Sequence, residues 1–165
     1  VNFLCDNHQQ IVLRNNELAR KLWLGAFQNG VSASQHRDWK AAVSFFGTAY
    51  EIGVLRLHLE KNSPAPSFTA QQAVTSGRCL ANVMSEIHEN FSAETYLKEI
   101  FEILSDICLD KDCSDVQRLE AFSHLQEFRN RLVEHLQKQG QAKFALEINA
   151  SFVKTNHAAR SELVH

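Results

Sequence analysis

Eight histidines, four cysteines and 19 acidic residues are the groups in this 165-residue chain with the means to hold a metal or move a proton. Their spacing decides whether they can act together. A protease-type zinc site places two histidines at i and i+4 on one helix face with a Glu between them, as HExxH. That pattern is absent, and so is the twofold ExxH set that lines di-iron helical bundles. The nearest approach to a ligand set is Glu120, His124 and Glu127, with Arg131 and His135 following. These residues share the polar side of one predicted helix. Charges of both signs along such a side read as a solvated face. No metal and no cofactor is expected, and His124 is kept as a binding candidate only.

Nucleophiles fare no better. Cys5, Cys79, Cys108 and Cys113 form no CxxC pair. The Cys108–Cys113 spacing straddles a predicted helix end and matches no metal or redox motif. A disulfide there would need Cα atoms within about 7 Å. Reduced, mostly buried thiols are the expectation, since no paired base stands out for any of them. GxSxG and glycine-rich phosphate loops are missing. His58 has Lys61 three residues on, as a phosphotransfer histidine has, but that chemistry needs a mid-helix position and Pro64 follows closely. His58 therefore reads as a surface histidine. The sequence nominates no reaction.

Polar groups must be positioned by something, and here the scaffold is helical. Two prolines and six glycines in 165 residues are few breakers. The organising stretch is residues 38–60, DWKAAVSFFGTAYEIGVLRLHLE. At the α-helical period Trp39, Ala42, Val43, Phe46, Ala49, Tyr50, Gly53, Val54 and Leu57 fall on one arc. Phe45, Ile52, Leu55 and Leu59 widen it past half the circumference. Lys40, Ser44, Gly47, Glu51 and His58 form a narrow remaining stripe. A helix this apolar must be covered on most sides, with Phe46, Tyr50, Ile52 and Val54 among the most buried residues. Glu51 and Arg56 interrupt the run, so it is not a membrane span.

The rest follows by periodicity. A first helix spans 6–29, with the Asn15–Asn16 pair placed to kink or divide it, Gly30 as its C′ residue and 31–37 as a polar loop. Pro64 and Pro66 break the chain after the central helix. A third helix runs from about Thr69 to His88. Ser92 caps a fourth, with Glu94 set to favour the helix dipole. Ser114 with Gln117 opens a fifth as a capping box, closed by Gly140. A sixth spans about 141–154, and 155–165 is a polar tail. The expected fold is all-α: six antiparallel amphipathic helices in a single domain over 1–165.

The hairpin around residues 18–60 resembles a tetratricopeptide repeat. That family places a small residue and an aromatic late in its first helix, where Gly25, Ala26 and Phe27 stand. Its second helix alternates aromatic and small residues, as Trp39, Ala42, Phe46 and Ala49 do. The loop after Phe27 is longer than the family's, and no proline closes the second helix at the usual place. The later helix pairs keep the layout without the signature. The resemblance implies an α–α superhelix whose first helices line a concave surface. A closed helical bundle is the alternative.

On the superhelix reading Gln71, Thr75, Arg78 and Asn82 form the middle of a groove, with His124 on the next hairpin. A guanidinium at Arg78 would clamp a carboxylate at two points. The expected function is a non-enzymatic helical module binding a protein or peptide partner, as adaptor, scaffold or chaperone. The alternatives are a helical-bundle regulatory domain with a small ligand between its helices, and an enzyme whose site the sequence does not reveal. Net charge is −2 with no basic run, which argues against nucleic acid. The N-terminus lacks a signal-peptide layout, so a cytoplasmic location without membrane attachment is expected. A homodimer through an end surface, using Phe45, Leu55 and Leu59, completes the expectations.

Overall fold

The computed structural model describes residues 3–163 and consists, among them, of seven α-helices and no strand. They are α1 (Asp6–Arg14), α2 (Asn16–Gln35), α3 (Trp39–Glu60), α4 (Ala70–Glu86), α5 (Asn90–Leu109), α6 (Asp115–Lys138) and α7 (Ala142–Leu163). The expected six become seven because the first divides at Asn15, which adopts an extended backbone. Its side chain then accepts a hydrogen bond from Leu18 N at 2.9 Å and caps α2.

Two helix ends differ from the sequence reading. Gly30 does not stop α2. It sits inside the helix, where a Cβ would lie 2.7 Å from Phe46 Cδ1, so the missing side chain admits the Phe46 ring rather than a turn. The helix instead ends at Gln35, and the chain turns at Arg37, a non-glycine residue with φ 57°, where Asp38 N returns to Ala33 O and Arg37 N to Ser34 O. At the other end of the chain α7 continues to Leu163, so most of the expected polar tail is helical. Its Thr155 and Ala159 are buried. Residues 164–165 lie outside the described part. Nor does Ser92 cap α5, which begins two residues earlier after Glu89, with no side-chain cap.

Each helix packs on the next along the chain, from α2 on α3 through to α6 on α7, and α4 also touches α6 while α5 touches α7. The core holds Phe46, Tyr50, Ile52, Leu57, Phe101, Phe128 and Leu132, all nearly inaccessible. Val54 is only half-buried, and Gly47, assigned to the polar stripe of α3, is buried under the Phe3 ring. Phe45 and Leu55 are half-buried and Leu59 is exposed. Among the described residues no helix is long and apolar enough to cross a membrane.

One polar node ties α1 and the proline loop to α3. Arg56, 5% exposed, donates to Leu13 O at 3.2 Å at the end of α1 and pairs with Glu60. Glu60 accepts from the Ser67 and Phe68 amides, and so fastens the loop that carries both prolines.

Candidate functional site

α4 and α6 supply the most promising surface. Thr69 and Gln72 close a capping box that starts α4. Its buried side is made of small or branched residues, Ala73, Val74, Gly77, Leu80 and Ala81. The helical period then leaves Gln71, Thr75, Arg78 and Asn82 on the outer side. α6 buries Leu125, Phe128, Leu132 and Leu136, which turns Glu127 and Arg131, one turn apart, towards α4.

At the junction two guanidiniums share one carboxylate oxygen. Arg131 Nε donates to Glu127 Oε1 at 2.9 Å, and Arg78 Nη1 donates to the same atom at 3.2 Å. Side-chain exposures of 34% for Arg78 and 39% for both partners leave all three open to solvent. Partial burial works against the Glu127 charge, but the hydrogen bonds from Arg131 and Arg78 outweigh it and hold its carboxyl below the ordinary range. The cluster therefore keeps a net positive charge near neutral pH. The Cys79 thiol beside it is pushed up by burial, against the opposing fields of Arg78 and Arg131.

Two hollows flank this cluster. One, about 220 Å³, has Asn82 and Ser85 on one wall and Arg131, Glu134, His135 and Lys138 on the other. The second, about 760 Å³, lies between the end of α2, the start of α3 and the end of α4, and includes Trp39, Cys79 and Asn82. Asn82 belongs to both, so the hollows adjoin across α4.

The expected site residues do not all gather here. Arg78 and Asn82 do. Gln71 Nε2 donates to Thr75 Oγ1 at 2.7 Å, and this pair sits at the opposite end of α4; Gln71 is about 16 Å from Asn82 along the axis. His124 faces Glu120 across 3.6 Å on its own helix and lines neither hollow. Arg131, Ser85, His135 and Lys138 were not among the candidates. The i, i+4 spacing of Glu127 and Arg131 was the available signal for the first of them. Among the described residues no group of three or more His, Cys, Asp or Glu is placed to hold a metal ion. Cys108 and Cys113 are buried free thiols, pushed up to about 12 and about 11 by burial. Cys5 is exposed, with its Sγ 3.1 Å from His8 Nδ1.

A family model described as "Protein of unknown function (DUF2753)" matches residues 21–164. No curated protein and no solved structure matches the chain.

Proposed function

The chain belongs to that family, and we propose that it is a non-enzymatic binding module whose helix pairs α2/α3, α4/α5 and α6/α7 stack as a tetratricopeptide-like superhelix. Its partner is a protein or peptide that presents carboxylates. The neighbour-by-neighbour packing supports the stacking, because α4 on α6 and α5 on α7 are the first-on-first and second-on-second contacts that stacked pairs make. Between α2 and α4 the Trp23 indole donates to Ser76 Oγ at 3.1 Å.

The observation that carries the reading is the shared oxygen of Glu127. Arg78 spends one nitrogen on a 3.2 Å contact and leaves the rest of its fork available. An incoming carboxylate would meet two guanidiniums that one internal carboxylate only partly neutralises. Asn82, His135 and Lys138 extend the polar wall beside it. An acidic segment or a free chain terminus fits this arrangement. A neutral peptide would leave the positive charge unmatched.

Fluorescence anisotropy with Asp/Glu-rich peptides, their Asn/Gln counterparts, and free or amidated C-termini tests this. Acidic peptides should bind, more weakly as salt rises. Arg131→Ala and Arg78→Lys should each weaken binding about tenfold, with the far-UV spectrum unchanged. Equal binding of the neutral counterparts, or indifference to Arg78→Ala with Arg131→Ala, would refute the reading.

A further inference from the structure

A different hollow of about 220 Å³ lies between α3, α5 and the N-terminal segment, on the second helices of the pairs rather than the first. Phe3, Tyr50 and Tyr96 contribute rings to it, and Glu51 and Glu99 contribute carboxylates. We propose that it binds an alkylammonium group, carried either by a free amine or by a lysine side chain of a partner.

The rings are arranged for a cation. Tyr50 and Tyr96 meet edge to face, with centroids 5.8 Å apart and planes at 82°, so they form two walls at a right angle. Phe3 adds a third ring. Its backbone is pinned by Glu51 Oε2, which accepts from Phe3 N at 2.7 Å and Leu4 N at 2.9 Å. A cation set against such faces is attracted by the ring quadrupoles.

One further group asks for a donor, the exposed Glu99 carboxylate. Tyr50 is 4% exposed, and its hydroxyl is buried beneath the hollow beside the Glu99 carboxylate. Burial and the Glu99 carboxylate beside it push the phenol up, so the oxygen stays neutral. Glu99 has no ion pair among the described residues, and no basic side chain lines the hollow. Two carboxylates and no cation make an anionic recess.

The class of cation follows from the oxygens that remain free. Both Glu51 oxygens are occupied, since Gln9 Nε2 donates to Oε1 at 2.8 Å. That leaves the Glu99 carboxylate and the Tyr96 phenol, too few for a divalent ion that takes six or more oxygens. The remaining walls are π faces and aliphatic carbon, which suit an ammonium on a short alkyl stem. The groove between α4 and α6 shares no residue with this site, so the two proposals stand or fall separately.

The test is an NMR titration of the full chain, following the tyrosine ring signals. The probes are n-butylamine hydrochloride, neutral n-butanol and a lysine blocked at both ends, all at matched ionic strength. The ammonium probes should shift the Tyr50 and Tyr96 signals saturably, and butanol should not. Tighter binding of blocked lysine would assign the site to a partner's side chain, and tighter binding of butylamine to a free amine. Tyr96→Leu and Glu99→Gln should each weaken binding roughly two- to thirtyfold. Glu99 is exposed, so its variant keeps the fold and decides the matter even where Tyr96→Leu does not fold. Butanol binding as well as butylamine, unchanged affinity in Glu99→Gln, or displacement of the amine by equimolar magnesium would each overturn the assignment.

Discussion

A methyl group added at Gly53 should destabilise the protein, whereas the same methyl at Gly25 should stabilise it. Both glycines are interior to helices, where Ala is favoured over Gly by about 1 kcal/mol. Their surroundings differ. A Cβ at Gly53 would lie 2.9 Å from Ala73 N, 3.0 Å from Ala73 Cα and 3.2 Å from Gln72 C, all backbone atoms of α4. A side chain can swing away from such a contact, but a helix backbone cannot. α4 would have to retreat by about half an ångström, against the loop held by Glu60 and the layer of α5 behind it. Overpacking of this kind costs about 1–3 kcal/mol, and rigid neighbours place it in the upper half of that range. After the propensity gain, Gly53→Ala should lose about 1–2 kcal/mol. Gly25 has nothing within 4 Å of the added methyl, so Gly25→Ala should gain up to about 1 kcal/mol. Urea denaturation followed by far-UV circular dichroism measures both, with equal slopes required for the comparison. A Gly53→Ala variant as stable as Gly25→Ala would refute the close crossing of α3 and α4.

Three more outcomes follow from the same structure. Phe46→Ala should cost about 3–5 kcal/mol, because the ring is 3% exposed and fills the space over Gly30; a loss below about 0.5 kcal/mol in urea denaturation would show that α3 is misplaced. Arg56→Ala strips the half-buried Glu60 of its counter-charge and should cost about 3 kcal/mol, with hydrogen exchange rising first in α1 and residues 61–69. Asp110→Asn should be less stable than the unaltered chain at neutral pH, and the difference should fade in acid. The Lys61 ammonium, the Asp112 amide and the Cys113 thiol hold the Asp110 carboxyl at about 2, below its ordinary 3.8. A depressed folded-state value stabilises above the unfolded one and is lost as pH falls from about 4 through about 2. Thermal melts at several pH values check it, and a constant difference would contradict the pairing.

The helices were legible because their signal is periodic. Residues 38–60 announced a nearly all-round apolar helix, and α3 occupies 39–60 with Asp38 as its cap. What stayed hidden depends on contacts between elements. Gly30 resembled a helix terminator in sequence, but its role is set by Phe46, sixteen positions away. Arg56 looked like a charge that merely interrupts an apolar run. Its job, closing the end of α1 and pairing with Glu60, exists only once α1 lies against α3. In the sequence Glu94 stands where a carboxylate favours the dipole near a helix start. Instead it is buried and joins Lys98 to Gln141 at the entry to α7. On α4 the polar stripe was visible, but the stripe alone could not separate Gln71 and Thr75, which satisfy each other, from Arg78, which meets a residue 49 positions later.

α4 is also where packing and the proposed binding surface meet. Its inner side is largely small residues, so it is placed by close backbone approach to α3 rather than by long side chains with many rotamers. A helix seated in that way has little freedom to shift, and Arg78 and Asn82 inherit its position. Arg131 is set from the other side by the buried row Leu125, Phe128, Leu132 and Leu136 of α6. Glu127 then fixes the separation of the two guanidiniums before any partner arrives, and less ordering entropy remains to oppose binding. Glu127 would also have to share its arginines with an incoming carboxylate, and its own charge repels that group. A glutamine at 127 keeps an oxygen that can accept from both arginines but removes the repelling charge, so Glu127→Gln should strengthen binding of acidic peptides and steepen its dependence on salt. Weaker binding by the variant would show that the carboxylate's hold on the two guanidiniums matters more than the charge it places in the groove.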